Sequence, residues 1–493
     1  MIDTETLKNK VRDLAVQGKL SNQLAIDGTA DDLLNQLYIE KESHTKQGLI
    51  KKSKKAKPIT IDEIPFEIPK NWKWVRLGDV TFNHGQIRPE TAFCYIDVGT
   101  LDNIHHQLSP NNNIIKANDA PSRARKKVEQ GDVLYSTVRP YLHNTCIINR
   151  SFPEMPIAST AFCVMHGIGD LINSKYLINC LLSSYFDKFA NGRYSKGALY
   201  PAIGENDFLT GIIPLPPLKE QVRIVKALNE IFKQIDIIAN LQSRYANNLS
   251  ALNKKILELA VQGKLVPQDP SDEPASVLLK KIAAEKQKLI KEGKIKKQKK
   301  LPAITKNEIP FEIPESWKWV RMKQVASIIT DGEHSTPKRI KDFDGYYLLS
   351  ARNVRDGYIQ LDDVDYVDKD EYLRLAKRCN PKKGDVLISC SGSVGRCTVV
   401  EDNNNYVMVR SAAVISPIFC NPRYLMYAVQ SECVQKQINS LKKQTAQANL
   451  FLGAISELII PIPPIEEQNE IVEQLDILLQ EVGNSFQKIQ KVK

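Results

Sequence analysis

From Val225 onward the apolar positions fall at Val225, Leu228, Phe232, Ile235, Ile238, Leu241, Tyr245, Leu249, Leu252, Ile256 and Leu259. The steps are three or four throughout and average about 3.4, close to the 3.5-residue period of a coiled-coil seam. Pro216 and Pro217 end an extended segment and pre-set φ for helix entry. Gly263, with Pro267 beyond it, supplies a C-cap. The spacing predicts one helix over 219–262, about 44 residues and on the order of 66 Å long at 1.5 Å per residue.

Outside that segment the pattern changes. Short apolar or alternating runs such as WKWVRL (72–77), FCYIDVG (93–99), YYLLSA (346–351), GDVLI (384–388) and YVMVRSAAVISP (406–417) predict strands. Helical periodicity returns at 173–191 and 421–440. The interiors 71–215 and 316–461 therefore predict mixed α/β domains. Trp72 and Trp74, alternating on the first of these strands, are packing residues rather than base-stacking platforms.

These elements are written twice. LAVQGKL at 14–20 returns at 259–265, and IPFEIPKNWKWVR (64–76) returns as IPFEIPESWKWVR (309–321), both at an offset of 245. IIPLPPLKEQVRIVKAL (212–228) returns as IIPIPPIEEQNEIVEQL (459–475) at 247. A frame of three blocks repeats in the same order, which chance does not produce. Between the blocks little matches. GDVLYSTVRPYLHNT at 131 and GDVLISCSGSVGRCT at 384 share their first four residues. Near-identical frames around divergent interiors predict one scaffold presenting two different recognition surfaces. At these offsets both Met1 and Lys493 fall opposite Ala246. The segments 466–493 and 3–20 should then meet end to end and rebuild the helix that 219–262 makes in one piece. A pseudo-two-fold, circular arrangement is expected.

At 493 residues several domains are expected. Nine cysteines without a C-x-x-C pair, behind an N-terminus with no apolar signal region, imply reduced thiols in a cytoplasm. No run approaches the length of a membrane span. The net charge of +11 is concentrated: residues 41–57 carry seven Lys against one Glu, and 280–300 carry ten against two. Such runs read as solvated helix ends or linkers, so the basic balance permits phosphate binding without demonstrating it.

No catalytic machinery surfaces. Phosphate loops, G-x-G-x-x-G, the G-x-S-x-G elbow and N-P-P-[YF] are all missing, and the seven histidines never take a metal-ligand spacing. The adjacent pair His105 and His106 reads as loop. Candidate DNA-contact residues are better represented. The first interior offers Arg88, then Arg123, Arg125 and Lys126 of SRARKK, Arg139 and Tyr141 of STVRPY, and Arg193, Tyr194 and Lys196 of GRYSKG. The second offers His334, Ser335, Thr336, Lys338 and Arg339, then Ser350, Arg352 and Asn353. Ser391, Ser393 and Arg396 of SGSVGR follow, with Lys442, Lys443, Gln444, Gln447 and Asn449. Loops carrying Arg, Asn and Gln supply the bidentate donors and acceptors of major-groove readout.

Two variable domains, each closed by IPLPPLKEQ or IPIPPIEEQ and followed by long helices ending LAVQGKL, resemble the specificity subunit of type I restriction–modification enzymes over essentially the whole chain. The resemblance implies a non-catalytic subunit of mixed α/β fold, with two α+β target recognition domains (64–216 and 309–463). A helical segment with a Lys-rich linker (1–63) precedes them, and the central helix with its own Lys-rich linker (217–308) joins them. A C-terminal helix (464–493) would pair with the central one as an antiparallel coiled coil and continue into the N-terminal helix. It implies double-stranded DNA as ligand, each domain reading half of a bipartite, asymmetric target. Two modification subunits would carry S-adenosylmethionine and methylate adenine, and restriction subunits would add ATP-driven translocation and cleavage. No cofactor or metal is expected on this chain. The junction residues Pro216, Pro217, Glu220, Gln221, Pro463, Pro464, Glu467 and Gln468 are expected at the helix junctions, touching partner subunits. DGEHSTPK, SGSVGR and STVRPY are similar to segments the family places in its recognition domains; the first domain lacks a DG-x-H-x-x-P loop. The competing expectation is a coiled-coil scaffold that pairs two proteins and never touches DNA.

Overall fold

A computed structural model of the chain describes residues 1–48, 57–192, 201–297, 301–343, 345–441, 443–444 and 448–490. It resolves into two compact units, Met1–Gln242 and Ser243–Val492. The helix predicted from the apolar seam is there as Leu218–Val261, 44 residues long, with its first part in one unit and its last part in the other.

Each unit is built on the repeated blocks, which pair with one another. In the first, Lys73–Arg76 runs antiparallel to Ile212–Leu215, placing Trp74 opposite Pro214; in the second, Lys318–Arg321 runs antiparallel to Ile459–Ile462, placing Trp319 opposite Pro461. Proline, which cannot donate to a ladder, is tolerated because each ribbon has only two strands. A tyrosine clamps the proline carbonyl in both: Tyr176 Oη–H donates to Pro214 O and Tyr424 Oη–H to Pro461 O, each at 2.8 Å.

The Glu-Gln pair that follows the prolines joins each ribbon to its long helix. Glu220 accepts from Trp72 Nε1–H (3.0 Å), Asn71, Ser21 and Gln23; Glu467 accepts from Trp317 Nε1–H (2.7 Å) and Gln268. Gln221 accepts from Asn173 N–H (2.8 Å) and donates to Pro216 O, and Gln468 repeats this with Asn421 N–H (2.9 Å) and Pro463 O. All four side chains, and the prolines before them, are buried. The expected partner contact at Pro216, Pro217, Glu220, Gln221, Pro463, Pro464, Glu467 and Gln468 is therefore corrected: these residues satisfy the buried start of a helix from inside the chain. LAVQGKL belongs to the same lock. Gly18 and Gly263 have φ of +72° and +67°, and a Cβ there would lie 2.4 and 2.5 Å from Pro69 and Pro314 Cγ. Only glycine meets both demands.

Helices cover the outside of each frame. Thr4–Val16 shares a core with Ile224, Val225, Leu228 and Ile235, with Lys8 2.7 Å from Asp236. In the second unit Leu249, Ile256, Ala260 and Val261 share a core with Ile471, Val472, Leu475 and Val482 of Ile465–Gln490. The seam is buried at both ends of the long helix, whereas Leu241, Tyr245 and Leu252 are exposed, so the pairing covers less than the periodicity predicts.

The interiors share a sheet plan. A four-stranded antiparallel sheet has the order Thr81–Phe82, Phe162–Gly167, Val133–Ser136, Thr145–Ile147 in the first unit. Its equivalent in the second has the order Ala326–Asp331, Ala412–Pro417, Val386–Ser389, Cys397–Val399. Each unit has a second sheet, four-stranded in the first and three-stranded in the second, with one parallel pair, Phe93–Ile96 with Pro156–Ser159, and Tyr346–Leu349 with Asn405–Met408. The copies part where the first has the strand Ala124–Lys127 and the second the helix Lys369–Ala376. YVMVRSAAVISP forms two strands separated by a turn at 409–411, and each C-terminal helical segment breaks into two short helices. All nine cysteines are buried thiols. Among the described residues no helix is long and apolar enough to cross a membrane. The expected meeting of the chain ends involves 491–493, outside the described residues.

Candidate nucleic-acid interface

The turn that links the two sheets organises the loops of each interior. In the first unit it is Ser159–Ala161, in the second Val409–Ser411. Thr137 N–H donates to Ala161 O (2.9 Å) and Ile203 N–H to Thr137 O (2.9 Å); Cys390 N–H donates to Ser411 O (2.7 Å) and Leu450 N–H to Cys390 O (2.8 Å). The same three-segment ladder thus supports both sites, although the sequences on it share almost nothing. Backbone hydrogen bonds do not depend on side chains, so the support persists while the loops change.

On the first ladder, Thr160 N–H donates to Arg123 O (2.9 Å), tying SRARKK to the turn, and Arg139 N–H donates to Pro201 O (2.8 Å). Ile87 N–H donates to Arg125 O (2.8 Å), laying the segment that ends in Arg88 beside the same strand. Arg88, Arg123 and Tyr141 are exposed and Arg125 half-buried. Arg139 and His143 both take the left-handed backbone, φ 50°, and His143 bonds to Asp187 on the helix Ser184–Asn191. Non-glycine residues held in that conformation cluster where a structure fixes a functional loop. Lys126 is a correction: it is 4% exposed, with Nζ 2.6 Å from Glu205 Oε2, so it pins its strand instead of facing a ligand. Arg193, Tyr194 and Lys196 lie outside the described residues.

On the second ladder three predicted loops converge. Arg410 N–H donates to Glu333 O (2.9 Å) and Ala351 N–H to Ser411 Oγ (3.0 Å), while Cys390 opens the SGSVGR turn. Gly332 is needed for the approach, since a Cβ would lie 2.1 Å from Met408 O. His334, Ser335, Thr336, Lys338, Arg339 and Arg352 are exposed and Ser350 half-buried. Ser391 pairs with Asn449 as an isolated bridge beside exposed Ser393 and half-buried Arg396. Asn353 is corrected: it is 1% exposed, accepts from Ser350 and donates to Gln360 O and Asp363 O, so it shapes its loop from below. Lys443 and Gln444 form a short strand with Ala448–Asn449. Lys442 and Gln447, and the side chains of Lys443 and Gln444, lie outside the described residues.

The second site is an ion-paired lattice rather than a bare positive patch. Arg339 and Arg352 each lie 2.9 Å from Asp365, Arg374 lies 2.8 Å from Glu371 and 3.3 Å from Glu333, and Arg378 lies 2.5 Å from Asp331. The Arg374 guanidinium draws Glu371 down to about 2, and the Ser335 backbone N–H and hydroxyl hold Glu333 below the usual carboxylate range. Exposed pairs add little stability, because water and salt screen them. They do fix guanidinium and carboxylate directions, which suits contacts to base edges.

Arg374, Arg378 and Arg410 were not among the residues predicted from sequence. Arg410, exposed in the structure, sits inside a run that reads as one strand, and a lone arginine within an otherwise apolar run was the available signal. Nothing local shows that the helix bearing Arg374 packs on the loop 331–339. Among the described residues, no set of three or more His, Cys, Asp or Glu side chains that could hold a metal gathers at either ladder.

Comparison with known proteins gives a consistent picture. The family described as the type I restriction modification DNA specificity domain matches the chain twice, over residues 69–244 and 314–493. The EcoAI specificity subunit of a type I restriction enzyme from Escherichia coli is 30% identical, covering 96% of this chain and 88% of that one. The EcoEI specificity subunit, also from Escherichia coli, is 26% identical over 95% of this chain and 88% of its own length. Among solved structures, the HsdS subunit from Thermoanaerobacter tengcongensis aligns with a TM-score of 0.53 at 24% identity, over 86% of this chain and 93% of that one. A chain from a study of complex assembly and conformational transition of the type I R-M system aligns with a TM-score of 0.61 at 24% identity, over 85% and 93%. At that identity the two structures speak to the fold.

Proposed function

The chain belongs to the family of type I restriction–modification DNA specificity subunits, and from that premise we propose that its two halves read the two parts of a split, asymmetric DNA target. It is a recognition subunit and not itself a catalyst. The observation that carries the reading is the doubling: one family matches twice, over two copies with the same frame and the same backbone ladder but different loops. A self-complementary target would call for identical loops; loops this different call for unequal half-sites.

In this reading 64–216 and 309–463 are the two recognition domains. Each presents its loops from the ladder, with the arginine lattice of the second half aimed at base edges and the exposed arginines of the first half at bases and phosphates. The Leu218–Val261 helix would run antiparallel to its shorter partners, and the chain ends would meet to close a pseudo-two-fold ring. One turn of B-DNA is about 34 Å, so a rod of about 66 Å can hold two readers one or two turns apart. The exposed seam residues Leu241, Tyr245 and Leu252 offer apolar surface for two modification subunits. Those subunits would bring S-adenosylmethionine and methylate adenine, and restriction subunits would bring ATP-driven translocation, all in the cytoplasm beside the DNA.

The test is a methylation map. This chain is co-expressed with its modification subunit in a methylation-free host, and every modified adenine is located by single-molecule sequencing. A split motif with unequal halves and a fixed spacer is expected. Replacing 71–215 with the matching segment of a relative should change one half and leave the other. Full expression with no modified motif would return the chain to the scaffold reading, and a swap that altered both halves would rule out separable readers.

A further inference from the structure

We propose that the first half of the chain carries a divalent transition-metal site made by His84, Asp132 and His166. The three side chains come from three segments: the residues after Thr81–Phe82, the turn before Val133–Ser136, and the end of Phe162–Gly167. They lie at the end of the four-stranded sheet opposite the DNA-facing ladder. His84 Nε2 is 3.1 Å and His166 Nδ1 2.6 Å from one carboxylate oxygen, Asp132 Oδ1, and all three ligand atoms fall within 4.8 Å of one another. The rings sit 5.0 Å apart, with Phe82 edge-on or tilted against both, so their directions are fixed by packing.

The second half shows that the fold does not need the histidines. Asp132 is fully buried, and its other oxygen accepts from Glu129 N–H (2.7 Å), capping the turn into the strand. Asp385 makes the same bond with Lys382 N–H (2.8 Å). There, however, Ser416 stands where His166 does, the strand Ala326–Asp331 brings no histidine, and Lys382 replaces Glu129. The turn is capped in both copies. Only the first adds two imidazoles, both directed at the oxygen the cap leaves over.

Two imidazole nitrogens and one carboxylate oxygen suit zinc and its neighbours in the first row rather than magnesium or calcium. A tetrahedral ion about 2.0–2.2 Å from each donor draws them to roughly 3.4 Å apart. His166, the most exposed of the three, supplies that adjustment by a small ring rotation. Solvent takes the fourth position. Glu129 Oε1, 3.6 Å from His84 Nδ1, is placed to take that ring's other N–H, as carboxylates behind metal-bound histidines do. The ion would clamp the base of the segment Gly85–Arg88, which runs from His84 along Ala124–Lys127 toward the ladder.

The full-length chain, stripped with chelator, is titrated with Zn2+ against a chromophoric competitor and with Co2+ by visible absorption. About one ion per chain is expected. His84→Gln and His166→Gln each keep an amide donor for Asp132 and should weaken binding at least about tenfold, while His334→Gln in the other half should not. Zn2+ should also protect His84 and His166, but not His334, from diethyl pyrocarbonate in the unmodified chain, a readout that does not depend on any variant folding. Binding no tighter than that of the double His84→Gln/His166→Gln chain, or acylation of both histidines unchanged by Zn2+, would overturn the site and leave a hydrogen-bonded Asp–His network.

Discussion

Removing the Glu220 side chain would isolate one of the two frame locks. Its carboxylate accepts four donors, Ser21 (3.0 Å) and Gln23 (3.1 Å) on one oxygen and Asn71 (3.3 Å) and Trp72 Nε1–H (3.0 Å) on the other. Trp72 is 2% exposed and cannot turn its N–H to water, whereas the other three donors can rehydrate. A buried donor stranded opposite a lost charged acceptor costs about 1.5–3 kcal/mol, and the three rehydrating donors about 0.5 kcal/mol each, so Glu220→Ala should cost the first unit roughly 3–5 kcal/mol. Glu220→Gln keeps the shape but turns an amide toward donors, at about 1–2 kcal/mol. Trp72→Phe removes the stranded donor, so the double variant should be about 1–2 kcal/mol better than the sum of the singles. Hydrogen exchange of the full chain reads this locally. Lys73–Arg76 and Ile212–Leu215 should exchange roughly 150- to 5,000-fold faster in Glu220→Ala, while Lys318–Arg321 and Ile459–Ile462 serve as the internal reference. An acceleration under about fivefold, or additive singles, would refute the claim that this carboxylate holds the ribbon to the helix.

Other consequences follow from the same contacts. Gly263→Ala meets both a φ of +67° and a Pro314 atom 2.5 Å from the new Cβ, so it should lower stability by about 2–4 kcal/mol, read as faster exchange of Lys318–Arg321. Arg76 draws Glu63 from 4.5 down to about 2. A carboxyl whose folded value is depressed contributes fully above 4.5 and loses that contribution as the pH falls toward 2, so the difference in unfolding temperature between the parent and Glu63→Gln should be constant near neutrality and close below 4.5. Arg410→Ala should weaken binding by about 1–3 kcal/mol and relax one half of the target only if the arginine reads a base, or lower the salt slope by about one without changing the motif if it meets phosphate. DNA binding unchanged in both respects would remove Arg410 from the interface.

Much of the molecule was legible in the chain. The 44-residue helix follows from a seam stepping by three and four between a double proline and a glycine, because helix periodicity and its stop signals are local. The repeat followed from self-comparison, and the strand and helix classes of the interiors from short-range pattern. The roles of Glu220, Gln221, Glu467 and Gln468 were not legible. In sequence they are charged and polar residues at the start of an amphipathic helix, and only the folded chain brings the buried tryptophans some 150 residues away onto the carboxylates.

The recognition loops divide in the same way. Their composition marked them, since arginine, serine and asparagine collect where strands end. Which of those residues face outward was decided by tertiary contacts: Glu205 captures Lys126, and the loop carbonyls of Gln360 and Asp363 capture Asn353. Arg374 and Arg378 joined the second site because a helix folds back onto the loop at 331–339. The His84, Asp132 and His166 group has no sequence spacing at all, its members being 48 and 34 residues apart. Local pattern fixes what each segment becomes, because helix and strand periods act over a few residues. Long-range backbone pairing decides which side chains meet, because a hydrogen-bonded ladder sets register without regard to the residues it carries.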